Sequence, residues 1–145
     1  MKKTAGYLSL ILISTLSLFA NVSEVDKVKQ QNIEVVKAAA KELSAKLPQK
    51  VDAYTQLVDL RGEGENLFYT FEINTGARSD EAIIKEGEAR QMKIRITAGI
   101  CRSSKRFLES GIGIHYIYRS AASKKQLFRY DVANKTCLDL LGPAY

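Results

Sequence analysis

Histidine and cysteine are scarce in this chain of 145 residues, which has one His and two Cys. A structural zinc site takes about four Cys, His or carboxylate ligands, so Cys101, Cys137 and His115 do not mark one. There is no C-x-x-C, which removes a thioredoxin-like redox motif. G-x-S-x-G, H-E-x-x-H and the P-loop pattern are also missing, and with them the usual signatures of esterases, zinc proteases and nucleotide-binding enzymes. No metal, no cofactor and no catalytic residue is therefore expected. Basic residues outnumber acidic ones, 22 to 16, but they are scattered. Nucleic-acid binding would call for a basic stripe with exposed aromatics, so no nucleic-acid partner is expected. Internal repeats and low-complexity tracts are absent. The longest apolar run, Tyr7 to Phe19, is too short to span a bilayer comfortably.

That run has a different meaning. Lys2 and Lys3 precede it, and Leu18-Phe19-Ala20 follows as a small-residue cleavage site. The segment reads as a secretory signal peptide over residues 1–20, with an uncleaved N-terminal anchor as the alternative. No cysteine stands near the end of the run, so no lipoprotein anchor is expected. After cleavage no stable membrane attachment remains. The domain expected over residues 21–145, about 125 residues, is long enough to bury a core without a metal. Losing Lys2 and Lys3 lowers the formal net charge from +6 to +4, which fits a solvated surface.

Export changes the meaning of the two cysteines. In an oxidising compartment Cys101 and Cys137 are expected to form one disulfide, closing a large loop. Free thiols are the alternative.

Periodicity supplies the rest. Val25, Val28, Val36, Ala39, Ala40, Leu43 and Leu47 recur at spacings of three and four, which predicts a helix from Ser23 to Leu47, capped by Ser23 and ended by Pro48. A strand is expected from about Tyr54 to Arg61, and a turn over Gly62–Asn66. A second strand follows, with Leu67, Tyr69, Phe71 and Ile73 alternating. Ser79 starts another helix. Met92 to Ile100 fits two periods: strict alternation predicts a strand, while Ile94, Ala98 and Cys101 share a helical face. A short helix after Ser103 or Ser104 stops at Gly111. Two strands then alternate, through Tyr116 and Tyr118 and through Phe128 and Tyr130, around a turn at Ser120–Lys125. Asn134-Lys135 reads as a turn before Cys137, and a short leucine-bearing tail closes the chain.

The fold class is therefore α+β. A long N-terminal helix packs on an antiparallel sheet of about four strands, with a second helical region before a C-terminal hairpin and one disulfide.

Two groups stand out as candidate sites. Tyr69 and Phe71, with Tyr116 and Tyr118, fall on one face of the expected sheet. They form either a helix-covered core or an aromatic groove for a peptide or apolar ligand. His115 alternates with Tyr116 and so belongs to the opposite face, with no Ser-His-Asp pattern around it. Glu63 and Glu65 in a turn, and Glu86 and Glu88 in a charged helix, read as solvated surface.

The C-terminal half resembles a family of small exported bacterial proteins. The features are Cys101, Phe107-Leu108, Gly111, Tyr116-Ile117-Tyr118, Leu127 to Val132, and Cys137. In the N-terminal half, Pro48, Val51, Asp52, Thr55, Leu57 and Leu67-Phe68-Tyr69 fit the same pattern. The resemblance implies that Ser79 to about Ile100 is helical. More distantly the architecture is similar to cystatin-like folds and to secretion-system pilotins, which usually carry a lipid anchor. These motifs are structural; export, the expected disulfide and the lack of a catalytic constellation point to a periplasmic or secreted protein that binds or helps assemble another envelope protein or peptide and is not an enzyme. The alternative is an inhibitor or immunity protein against an exported hydrolase, with Gly62–Asn66 and Ser120–Lys125 as its contact loops.

Overall fold

The computed structural model describes residues 16–145, with side chains from Glu24 onward. The expected signal peptide lies for the most part outside the described residues. Helix α1 runs Leu16–Ser44 without a break at Ser23, so Ser23 is not its cap. From Asn32 onward the helix lies on the domain: Asn32 and Val36 are buried, and Ala39, Ala40, Leu43 and Leu47 continue the same stripe. Val25 and Val28 extend the stripe but remain exposed.

Strand β1 is Gln49–Lys50, β2 is Thr55–Glu63 and β3 is Asn66–Ile73. The β2–β3 hairpin turns on Gly64, whose φ of 56° suits glycine. Helix α2 (Asp80–Gly87) starts at Ser79, whose side chain accepts from the Ala82 amide at 3.2 Å, with Asp80 and Glu81 in the first turn. Helix α3 covers Arg90–Ser103 and α4 covers Lys105–Glu109. Gly111, at φ 90°, ends the helical region. Strands β4 (Gly113–Ser120) and β5 (Gln126–Val132) form the C-terminal hairpin, and α5 (Asn134–Leu141) follows.

One open reading is decided and two expectations change. Met92 to Ile100 is helix, as the resemblance implies: Thr97, Ala98, Ile100 and Cys101 form the buried side of α3, a helical spacing. The alternation of apolar residues there is incidental, and Ile94 is exposed. Asn134-Lys135 does not turn the chain but opens α5, where Thr136 accepts from the Ala133 amide. The sheet has five strands in the order β1-β2-β3-β4-β5, and its central pair is parallel. β1 is two exposed residues long, too short to show a period. The parallel pairing arises because α2, α3 and α4 carry the chain back to the start of β3, placing Gly113 opposite Asn66 and Ser120 opposite Ile73.

The core lies between the helices and one face of the sheet. Leu60, Leu67, Ile114, Tyr130 and Val132 from the strands meet Val36, Ile83, Ile100 and Leu108 from the helices. Two glycines set how close the helices come. A Cβ on Gly62 would sit 2.5 Å from Val36 Cγ1, and one on Gly87 would strike the Phe128 ring. Asn32 fastens α1 by donating at 2.8 Å to Glu65 Oε1 and at 2.8 Å to the Ser110 carbonyl. Cys101 and Cys137 are bonded and fully buried, and they join α3 to α5. A loop of 36 residues contributes about 4 kcal/mol by restricting the unfolded chain.

Candidate functional site

Tyr69 pairs with Tyr116 across β3 and β4, and Phe71 pairs with Tyr118. All four point to the helix-covered face. Tyr69 and Tyr116 have ring centroids 5.1 Å apart, and Phe71 lies 4.8 Å from both Tyr116 and Tyr118. Burial pushes the Tyr69 phenol up to about 12, with a smaller contribution from Tyr116, and also raises Tyr116. These rings are largely packing. Phe71 is buried, the three tyrosines are half-buried, and Tyr118 lines an open groove.

There the domain has a groove of about 870 Å³. Its floor is Tyr118 and Phe128, stacked at 4.7 Å. Ile83 from α2 and Met92 and Ile96 from α3 form one wall. Residues 51–54, between β1 and β2, with Thr55 at the start of β2, form the other, and residues 73–76 with Arg78 complete the lining. Val51 and Tyr54 are 56% and 69% exposed, so apolar surface faces solvent on the rim. Arg78 and Glu86 pair at 2.8 Å across the rim. The groove depends on Gly87, where the absent side chain lets the Phe128 ring lie against α2 and the Tyr130 hydroxyl donate to the Gly87 carbonyl at 2.5 Å.

Asp52 folds its own wall. Its Oδ1 accepts from the amides of Tyr54 and Thr55, each at 2.8 Å. Chiefly the bond from Tyr54 holds the Asp52 carboxyl below its ordinary pKa, against the opposing effect of burial.

The other sheet face carries His115. Arg61, Phe68, His115 and Asp131 are direct cross-strand partners on β2 to β5. His115 stacks on Phe68 at 4.4 Å, and the Arg61 guanidinium lies 4.9 Å from the same ring. The Nδ1 of His115 is 2.5 Å from Asp131, and its Nε2 is 2.9 Å from Asn66 Oδ1. Arg129 also donates to Asp131, at 2.7 Å. Both imidazole nitrogens are engaged, and no hydroxyl or thiol nucleophile is among their partners. The row is a satisfied ladder across four strands.

The remaining candidates are dispersed. Glu65 accepts from Asn32, Glu86 pairs with Arg78, and Glu63 pairs with Arg61. The turn expected over Gly62–Asn66 is shorter, Gly64 and Glu65 alone between β2 and β3, and it is fastened by Asn32 and by the Gly113 amide, which donates to the Glu65 carbonyl at 2.9 Å. Among the described residues no cluster of His, Cys, Asp and Glu could hold a metal ion. No described helix is long and apolar enough to cross a membrane. Of the expected aromatic face only Tyr118 lines the groove. The rest of the lining was not foreseen, because it comes from five separate segments between residues 51 and 128.

No protein-family model and no curated protein matches the chain. Three solved structures share its fold. One is a protein of Pseudomonas aeruginosa described as secreted, with 12% identity and a TM-score of 0.65 over 76% of this chain and 96% of that one. Another is EpsS, a pilotin of the Vibrio vulnificus type 2 secretion system, at 14% identity and TM-score 0.61 over 77% and 96%. The third is AspS, a type II secretion pilotin of Vibrio cholerae, at 14% identity and TM-score 0.59 over 78% and 98%. At these identities the likeness is one of fold. The chain therefore has an α+β fold that two pilotins also adopt.

Proposed function

We propose that this protein is a non-enzymatic binding or assembly factor of the bacterial cell envelope, working in the periplasm or secreted. In this reading the groove over Tyr118 and Phe128 holds an apolar segment of another envelope protein or peptide. One observation carries it: an open apolar groove sits on a domain whose titratable groups are otherwise paired or dispersed. The signal-like N-terminus and the fold shared with two secretion pilotins support it.

A photo-crosslinking amino acid at Met92, introduced in intact cells, tests the reading. The expected result is a discrete cross-linked envelope protein that disappears when Ile96→Glu places a charge in the groove. The same probe at Arg129, on the opposite sheet face, gives no such product. Absence of a cross-link from Met92, or an identical pattern from Arg129, would overturn the assignment.

A further inference from the structure

The groove's mostly apolar lining is broken by polar groups: Arg78 and Glu86 are paired with each other, Thr55, Asn74 and Thr75 lie along the chain segments that wall it, and Tyr118 and Asp52 both face the space. Stacking fixes the Tyr118 ring: Phe71 lies at 4.8 Å on one contact and Phe128 at 4.7 Å on another, with interplanar angles of 15° and 27°. Its hydroxyl cannot swing away to find a partner. Among the described residues no buried side-chain polar atom is left unpaired, and the Tyr118 hydroxyl bonds to none of them, so it opens to the groove. Tyr130 differs, since its hydroxyl is bound to the Gly87 carbonyl. Asp52 accepts from the amides of Tyr54 and Thr55 through Oδ1, and because the residue is exposed its carboxylate, with about four lone-pair sites, keeps acceptor capacity toward the groove.

We propose that Tyr118 and Asp52 form the polar anchor of this groove and take an amide group of the bound segment, supplied by an Asn or Gln side chain or by a main-chain peptide unit. The inference rests on the groove being a peptide site. A phenol O–H and a carboxylate offer one donor and one acceptor, and an amide returns one acceptor and one donor. Burial first, then the neighbouring Tyr116, Tyr130 and Asp52, raise the Tyr118 pKa well above its ordinary value, so the phenol stays protonated and able to donate. Asp52 stays ionised for the reason given above. A ligand carboxylate would be repelled by Asp52. A ligand ammonium or guanidinium would satisfy Asp52 but leave the phenol proton without an acceptor. The surrounding apolar side chains strengthen whatever pairing forms and penalise a mismatch.

Random peptides displayed on phage are panned against the oxidised protein and, in parallel, against Tyr118→Phe, Asp52→Asn and the groove-blocked Ile96→Glu. The expected result is a set of apolar peptides that no longer bind Ile96→Glu. A synthetic copy of the strongest should bind Tyr118→Phe about tenfold more weakly, the size of one well-placed hydrogen bond. Tyr118→Phe keeps the ring stack, so its melting temperature should not change. A fixed Asn or Gln in the enriched set identifies a side-chain amide. Loss of affinity without any such preference identifies a main-chain amide. Peptides that bind Tyr118→Phe and Asp52→Asn as tightly as the parent, or that share a fixed charged residue instead, would overturn the anchor and leave the groove reading standing. If no enriched peptide responds to Ile96→Glu, the groove reading fails and the anchor fails with it.

Discussion

Asp131 and Glu72 carry the acid sensitivity of the open sheet face. Burial by itself would raise Asp131; the hydrogen bonds from His115 and Arg129, with their charges, outweigh it and hold the carboxyl below its ordinary pKa. Glu72 is lowered first by its hydrogen bond from Lys124 and further by Arg119, against the effect of burial. A carboxyl depressed in the folded state stabilises fully above its unfolded pKa, about 4 for these groups, and loses that contribution as pH falls through the folded value. Stability should therefore hold down to about pH 5 and decline below it. Asp131→Asn and Glu72→Gln should each be less stable than the parent at pH 7 and converge on it at pH 2, in urea titrations across that range. Gly87 makes a different demand. Gly87→Ala would push a methyl group into the Phe128 ring, and overpacking of this kind costs about 1–3 kcal/mol. The melting temperature should fall, and peptide binding in the groove should weaken with it.

Among the elements, α1 and the α3–α5 pair are held by very different means. α1 relies on its buried stripe and on Asn32, which reaches both the β2–β3 turn and the start of β4's approach through Ser110. Asn32→Ala leaves the Ser110 carbonyl and the Glu65 carboxylate without their donor. The expected loss is about 1–3 kcal/mol in chemical denaturation, because two part-buried hydrogen bonds, one of them to a carboxylate, are lost together. The tie between α3 and α5 is covalent. Replacing Cys101 and Cys137 together by Ala should cost on the order of 4 kcal/mol, and mass spectrometry of the unreduced protein should show the two residues linked. Since both sulfurs are buried, the native protein should resist thiol reagents until it is unfolded. Two free alkylatable thiols in freshly isolated native protein would contradict the bond.

At the scale of the whole molecule, the cysteine-bounded stretch is not a separable half. β4 pairs along its full length with β3, so the C-terminal hairpin takes half of its sheet contacts from the N-terminal hairpin. Unfolding should be one cooperative transition, with far-UV circular dichroism and tyrosine fluorescence changing together. The fragment 79–145 should fail to give a dispersed amide spectrum. What the sequence determined by itself was local: the buried stripe of α1, the cap at Ser79, the stop at Gly111, the alternating strands and the α+β class. Each follows from the period of apolar residues or from one residue's backbone preference, and both act over a few positions. Even there the period left two readings open, as at Met92 to Ile100, and was silent where the element was short, as at β1. Tertiary structure alone decided that β3 and β4 run parallel, that the tyrosine row is mostly covered, and that Tyr118 opens on a groove. Those outcomes depend on where three helices return the chain and on a close approach permitted by Gly87, distances that no window of sequence contains.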